Sequence, residues 1–169
     1  YRQDAFEVWN RGANRITLDA TDEQKTVFYT ALYHSLIHPS VYADVDGCYR
    51  GLDHEIHRQP GFTNYSIFSL WDTFRALHPW LTLMYPQETS DMVNSMLAHF
   101  DQNALPMLPV WSHHANDNWC MIGYHAVPVI ADAWVKGIGG FDGRRALDAM
   151  VRTANYRPYD GLADYMDKG

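Results

Sequence analysis

Seven consecutive residues, Ser69-Leu70-Trp71-Asp72-Thr73-Phe74-Arg75, hold the densest run of groups able to do chemistry in this chain. If the run is helical, Leu70, Trp71 and Phe74 continue an apolar stripe from Ile67 to Leu77, leaving Ser69, Asp72, Thr73 and Arg75 on or near the other side. Two readings fit that polar face. Asp72 and Arg75 can pair at i, i+3 on a solvated surface, which stabilises a helix by only about 0.2–0.5 kcal/mol. Turned toward a cleft, a fixed carboxylate and a planar guanidinium can instead grip the hydroxyls of a polyol such as a sugar.

The other polar words offer less. Asp44-Val45-Asp46-Gly47 imitates the opening of a calcium loop but lacks the remaining oxygen ligands and the bidentate Glu, so a turn held by Asx hydrogen bonds accounts for it better. In His54-Glu55-Ile56-His57 the histidines are three apart in a loop, whereas a zinc-binding helix needs them four apart. His113-His114 reads as an exposed polar loop, because adjacent side chains rarely converge on one ion. Asn116, Asp117 and Asn118 can cap a following helix or face a ligand. Cys120 and His125, five apart on a helix, do not make a sound nucleophile–base pair.

Helices must position these groups, and the pattern reads as all-α. A capping box of Thr21 and Gln24 opens a helix over 22–38, stopped by Pro39 and apolar on more than one face, hence expected to be buried between neighbours. Further helices are expected over 66–78 (ended or kinked by Pro79), 88–102 and 120–136 (where Pro128 must lie near the first turn or bend the helix, and glycines 137, 139 and 140 end it). Two more are expected from Asp142, as a cap, to about 154, and over 162–168. Two long connections, 39–65 and 103–119, look like loops that shape a site, the first with a hairpin over 48–58.

The 169 residues amount to one domain's worth of chain. A net charge of -7, without basic runs, argues against nucleic acid or an anionic membrane as partner. No apolar stretch is long enough to span a bilayer. Two cysteines, Cys48 and Cys120, are too few for a disulfide framework. Aromatic residues reach 14%, with six Trp and eleven Tyr; that surplus suits either a large core or the packing of rings on sugar C–H faces.

Five ordered words carry a more specific signal: Phe28-Tyr29-Thr30-Ala31-Leu32-Tyr33-His34, Asp44-Val45-Asp46-Gly47, Thr63-Asn64-Tyr65, Phe68-Ser69-Leu70-Trp71-Asp72-Thr73-Phe74-Arg75-Ala76 and Cys120-Met121-Ile122-Gly123-Tyr124-His125-Ala126-Val127. In order and spacing they resemble glycoside hydrolase family 92, over about residues 9–169. The resemblance implies a calcium-dependent, inverting exo-α-mannosidase with an N-terminal β-sandwich and an (α/α)6 toroid, acting on N-glycans or mannans and periplasmic or secreted. Residues 1–169 would then be part of the toroid, its partners a mannose-containing oligosaccharide and the remainder of the same polypeptide.

By the same resemblance Asp72 contacts mannose hydroxyls in the −1 subsite, with Trp71 and Arg75 as supporting contacts. Asp117 stands where many members carry Glu. The acid, the base and the calcium ligands are expected in motifs after Gly169, so no catalytic or metal-binding residue is assigned within this chain. The alternative from a different class is a non-catalytic helical module that binds carbohydrate or protein; a third is a truncated toroid with an exposed apolar flank and no function of its own.

Overall fold

The structure is a computed structural model describing residues 1–169. The chain forms two compact units, Tyr1–His38 and Pro39–Gly169. The first holds two helices, α1 (Arg2–Ala13) and α2 (Asp22–Ser35). Helix α2 opens with the expected capping box: Gln24 N–H donates to Thr21 Oγ1 at 3.3 Å and Thr21 N–H to Gln24 Oε1 at 3.0 Å. Trp9 of α1 lies against Tyr33 of α2 with ring centroids 4.9 Å apart. The sequence reading missed α1 and overstated the burial of α2: within this unit Leu32 is the one buried residue of the helix, while Val27 and Tyr33 are exposed. A single neighbouring helix can cover only one stripe of an apolar surface that runs around α2.

The second unit mixes short strands with helices, which corrects the all-α expectation; roughly a tenth of the chain is strand and half is helix. In order it contains β1 (Ser40–Val41), β2 (Cys48–Arg50), β3 (Ile56–Arg58), β4 (Tyr65–Ser66), β5 (Phe68–Ser69), α3 (Leu70–Thr73), α4 (Leu77–Met84), α5 (Pro86–Gln102), β6 (Trp111–His113), β7 (Asn116–Asp117), α6 (Ala126–Val135), α7 (Gly143–Ala154) and α8 (Leu162–Lys168). All strand pairs are antiparallel: β1 with β4, β2 with β3 as the expected hairpin, and β5-β6-β7 as a three-stranded sheet. Apart from β5 and the last residue of β4, which fall where a helix was expected, the strands lie in the two long connections where the sequence signalled shaped loops.

Helix α5 is the centre of the unit. Pro86 starts it at a position where the missing N–H costs nothing. Val93, Met96 and Leu97 are wholly buried, and the helix packs on α4, α6 and α7. Asp142 caps α7 as expected, accepting from Arg144 N–H at 2.9 Å and Arg145 N–H at 3.1 Å. Gly137, with φ +79, ends α6 through Gly137 N–H to Trp134 O and Ile138 N–H to Ala133 O, each 3.0 Å.

Two expected helices begin later than the periodicity suggested. Residues 66–78 are not one helix: Ile67 sits at φ +64, Phe68 and Ser69 pair with Ser112 and Trp111, and only one turn, α3, follows before α4 starts at Leu77. Pro79 therefore lies in the first turn of α4 and does not end a helix. Likewise 120–125 is a loop, with Met121 and Gly123 at positive φ, and α6 starts only at Ala126, which puts Pro128 in its first turn, one of the two places open to it.

Candidate functional site

Strand β5 and helix α3 position Asp72, and the residues just after α3 position Arg75. The Ser69 hydroxyl donates to the Asp72 carboxylate, and the Thr73 hydroxyl donates to the Ser69 carbonyl at 3.0 Å, so one turn of chain is tied twice. Asp72 stays exposed, with a fixed orientation and acceptor capacity left over. Arg75 lies beyond the end of α3. Its guanidinium donates to the Trp71 carbonyl at 2.9 Å and lies 4.8 Å from the Trp71 ring centroid and 5.0 Å from that of Phe74. The i, i+3 pair of Asp72 with Arg75 is thus not the contact formed: the short helix leaves its last carbonyls open, and the guanidinium takes one while stacking on the rings.

His125 also lies against Phe74, ring centroids 4.4 Å apart. Burial first, and then the Arg75 charge, push its imidazole below the usual range. Trp71, Phe74, Arg75 and His125 form one stacked group beside an exposed carboxylate. The sequence reading rejected His125 as a base for Cys120 and gave it no other part. What joins it to Arg75 is the contact of its ring with Phe74, far away in sequence, which no local spacing encodes.

Asp117 has a different position from the one expected. It lies in β7, not at a helix start, and is only 6% exposed. Its carboxylate accepts from the N–H groups of Val110 (2.9 Å), Trp111 (3.1 Å) and Trp119 (2.9 Å). Capping is therefore corrected to clamping: the side chain replaces missing backbone acceptors where the hairpin's strands enter and leave. Through Trp111, which pairs with Ser69, this clamp sets the strand beside Asp72.

The remaining words are structural. Asp46 accepts from Cys48 N–H at 3.0 Å, the expected Asx turn, and these bonds hold its carboxyl below the usual range. His57 Nε2 lies 2.9 Å from Asp53, and His54 turns the β2–β3 hairpin at φ +66. No group of three or more His, Cys, Asp or Glu side chains lies together in this structure.

Backbone strain gathers around the same place. Ile67, His114, Trp119 and Met121 all take positive φ, between 53° and 67°, although none is glycine. A β-branched residue there is a genuine outlier, and such conformations persist where packing over-determines them, commonly at binding sites.

The whole chain, residues 1–169, matches the model of the glycosyl hydrolase family 92 catalytic domain. The structure of the family GH92 α-mannosidase BT3965 from Bacteroides thetaiotaomicron superposes with a TM-score of 0.94 at 49% identity, over 97% of this chain and 22% of that one. A second structure of BT3965 contains mannoimidazole. The inverting mannosidase BT2199 from the same organism gives a TM-score of 0.83 at 32% identity over 98% of this chain and 24% of its own length. No match is found among curated proteins. The chain spans less than a quarter of the solved relatives described here. Five sequence words, the stacked group on α3 and a match along every residue converge: this chain belongs to glycosyl hydrolase family 92, within its catalytic domain.

Proposed function

We propose that this chain forms part of the helical toroid of an inverting, calcium-dependent exo-α-mannosidase and contributes the wall of its mannose pocket. The observation that carries the reading is Asp72: an exposed carboxylate oriented by Ser69 beside the Trp71–Arg75 stack, in a chain 49% identical to a mannosidase. Two relatives support the finer points, one solved with mannoimidazole and one described as inverting.

In this account Asp72 accepts hydrogen bonds from hydroxyls of the terminal mannose. Trp71 and Arg75 present a rigid face to the sugar, and Asp117 keeps the neighbouring strand in register. Inversion needs an acid carboxyl and a base carboxylate roughly 6.5–9.5 Å apart, with a water between them. In this reading neither Asp72, oriented by Ser69, nor Asp117, held by three amides, is that pair. The acid, the base and the calcium ligands are supplied by other parts of the polypeptide, and the substrate is the non-reducing end of an N-glycan or a mannan.

The test is hydrolysis of an α-mannoside by the complete polypeptide carrying this chain, followed by NMR of the first-formed sugar, with and without a chelator. We expect β-mannose first, loss of activity on chelation, and recovery with added calcium. α-Mannose as first product, or activity indifferent to chelation, would contradict the reading.

A further inference from the structure

The two-histidine word that the sequence left as an exposed loop becomes part of a continuous row of rings. His113 ends β6, and His114 sits in the two-residue turn to β7. Ring centroids are 6.1 Å apart for Trp111 and His113, 4.2 Å for His113 and His114, and 5.0 Å for His114 and Tyr42. The row starts at the site already described, because Trp111 pairs with Ser69, which holds Asp72. It ends at a cavity of about 360 Å³ lined by Tyr42, Asp44, Tyr49 and Arg50.

The row is firmly mounted although its middle is exposed. Tyr42 N–H donates to the Asn64 carbonyl at 2.8 Å, and Asn64 Nδ2 returns a bond to the Tyr42 carbonyl at 3.0 Å. The buried Ser66 hydroxyl donates to the His114 carbonyl at 3.4 Å. In the turn, His114 has φ +53 while Ala115 does not enter the left-handed region. That pattern belongs to a hairpin turn whose first position favours glycine. A histidine holding that position keeps a ring where the turn itself would be better served without one, and this ring bridges His113 to Tyr42.

We propose that Tyr42, His114 and His113 form a rail binding the mannose residues that precede the terminal one in an α-linked oligosaccharide. The proposal rests on the reading of Asp72 as a contact to the terminal mannose. Sugar C–H faces pack on such rings, and imidazole nitrogens and the phenol hydroxyl meet sugar hydroxyls at the edges. Polar Asp44 and Arg50 at the far cavity extend the hydroxyl-binding surface. The rail gives the enzyme a preference for chain length that the terminal pocket alone does not supply.

The test compares, in the complete polypeptide, α-linked mannotriose with α-mannosyl fluoride, which has no sugar on its acceptor side. His114→Gly removes a ring while suiting the turn, and His113→Ala shortens the rail. For the pair of substitutions the ratio of kcat/KM on mannotriose to that on the fluoride should fall about tenfold, mainly through KM. An unchanged ratio, including an equal loss on both substrates, would overturn the rail. A wild-type enzyme that cleaves neither substrate would overturn the mannosidase reading and the rail with it, a result distinguishable from an unchanged ratio.

Discussion

At the scale of single residues, the two carboxylates singled out in the sequence sit in opposite settings, and only one of them has acceptor capacity left for the ligand proposed above. Asp72 is exposed with one intramolecular partner, whereas Asp117 is buried with three. Asp117→Ala leaves three amide donors without their acceptor in a largely water-free place, and we expect it to cost about 3 kcal/mol of stability, read as a shift in urea midpoint. Asp117→Glu should recover part of that loss, because the carboxylate survives but sits one methylene too far out. Asp72 was visible in sequence as a polar member of a family-specific word, and Asp117 as a position where many members of the family carry Glu. The clamping role of Asp117 was not visible, because Asp117 finds Val110 and Trp111 only after the chain reverses at His114.

At the scale of elements, caps were legible and interruptions were not. Thr21 with Gln24, Asp142 and Gly137 each act within a few residues of themselves, so local composition fixes them. Asp142→Ala should cost about 1 kcal/mol in thermal or chemical unfolding, whereas Asp148→Ala, which breaks only the exposed Asp148–Arg152 pair at 3.1 Å, should cost well under that. By contrast, the apolar spacing from Ile67 to Leu77 suits a continuous helix, yet Phe68 and Ser69 pair with β6 and the helical run breaks into α3 and α4. A strand partner more than 40 residues away overrides a local period. The break creates the site, since an unbroken helix would not place Ser69 on a strand with its hydroxyl on Asp72.

At the scale of the whole unit, the core carries a pH sensitivity. His78 and His99 are each 1% exposed and flank Phe68, with ring centroids 6.4 and 5.8 Å away. Both His78 ring nitrogens and His99 Nδ1 lack a hydrogen-bond partner. Burial lowers both imidazoles from 6.5 to about 4. The folded state therefore binds their protons more weakly than the unfolded chain does. The stability from keeping them neutral is fully present above about pH 6.5 and is lost as pH falls toward 4, at about 2 kcal/mol per histidine between pH 6.5 and 5. Unfolding midpoints across that window should drop, and His99→Leu should flatten the slope by about half. Alternating helices and shaped loops were legible at this scale, but the centrality of α5 was not, because it depends on packing with α4, α6 and α7.

The central claim is that Asp72 holds the mannose, and the most direct measurement is kcat/KM on an α-mannoside for the complete polypeptide with Asp72→Asn, beside its melting temperature. The substitution keeps the size of the side chain but removes the charge, so we expect kcat/KM to fall by about 100-fold or more while the melting temperature stays close to that of the parent. Unchanged kinetics with the fold intact would contradict the account.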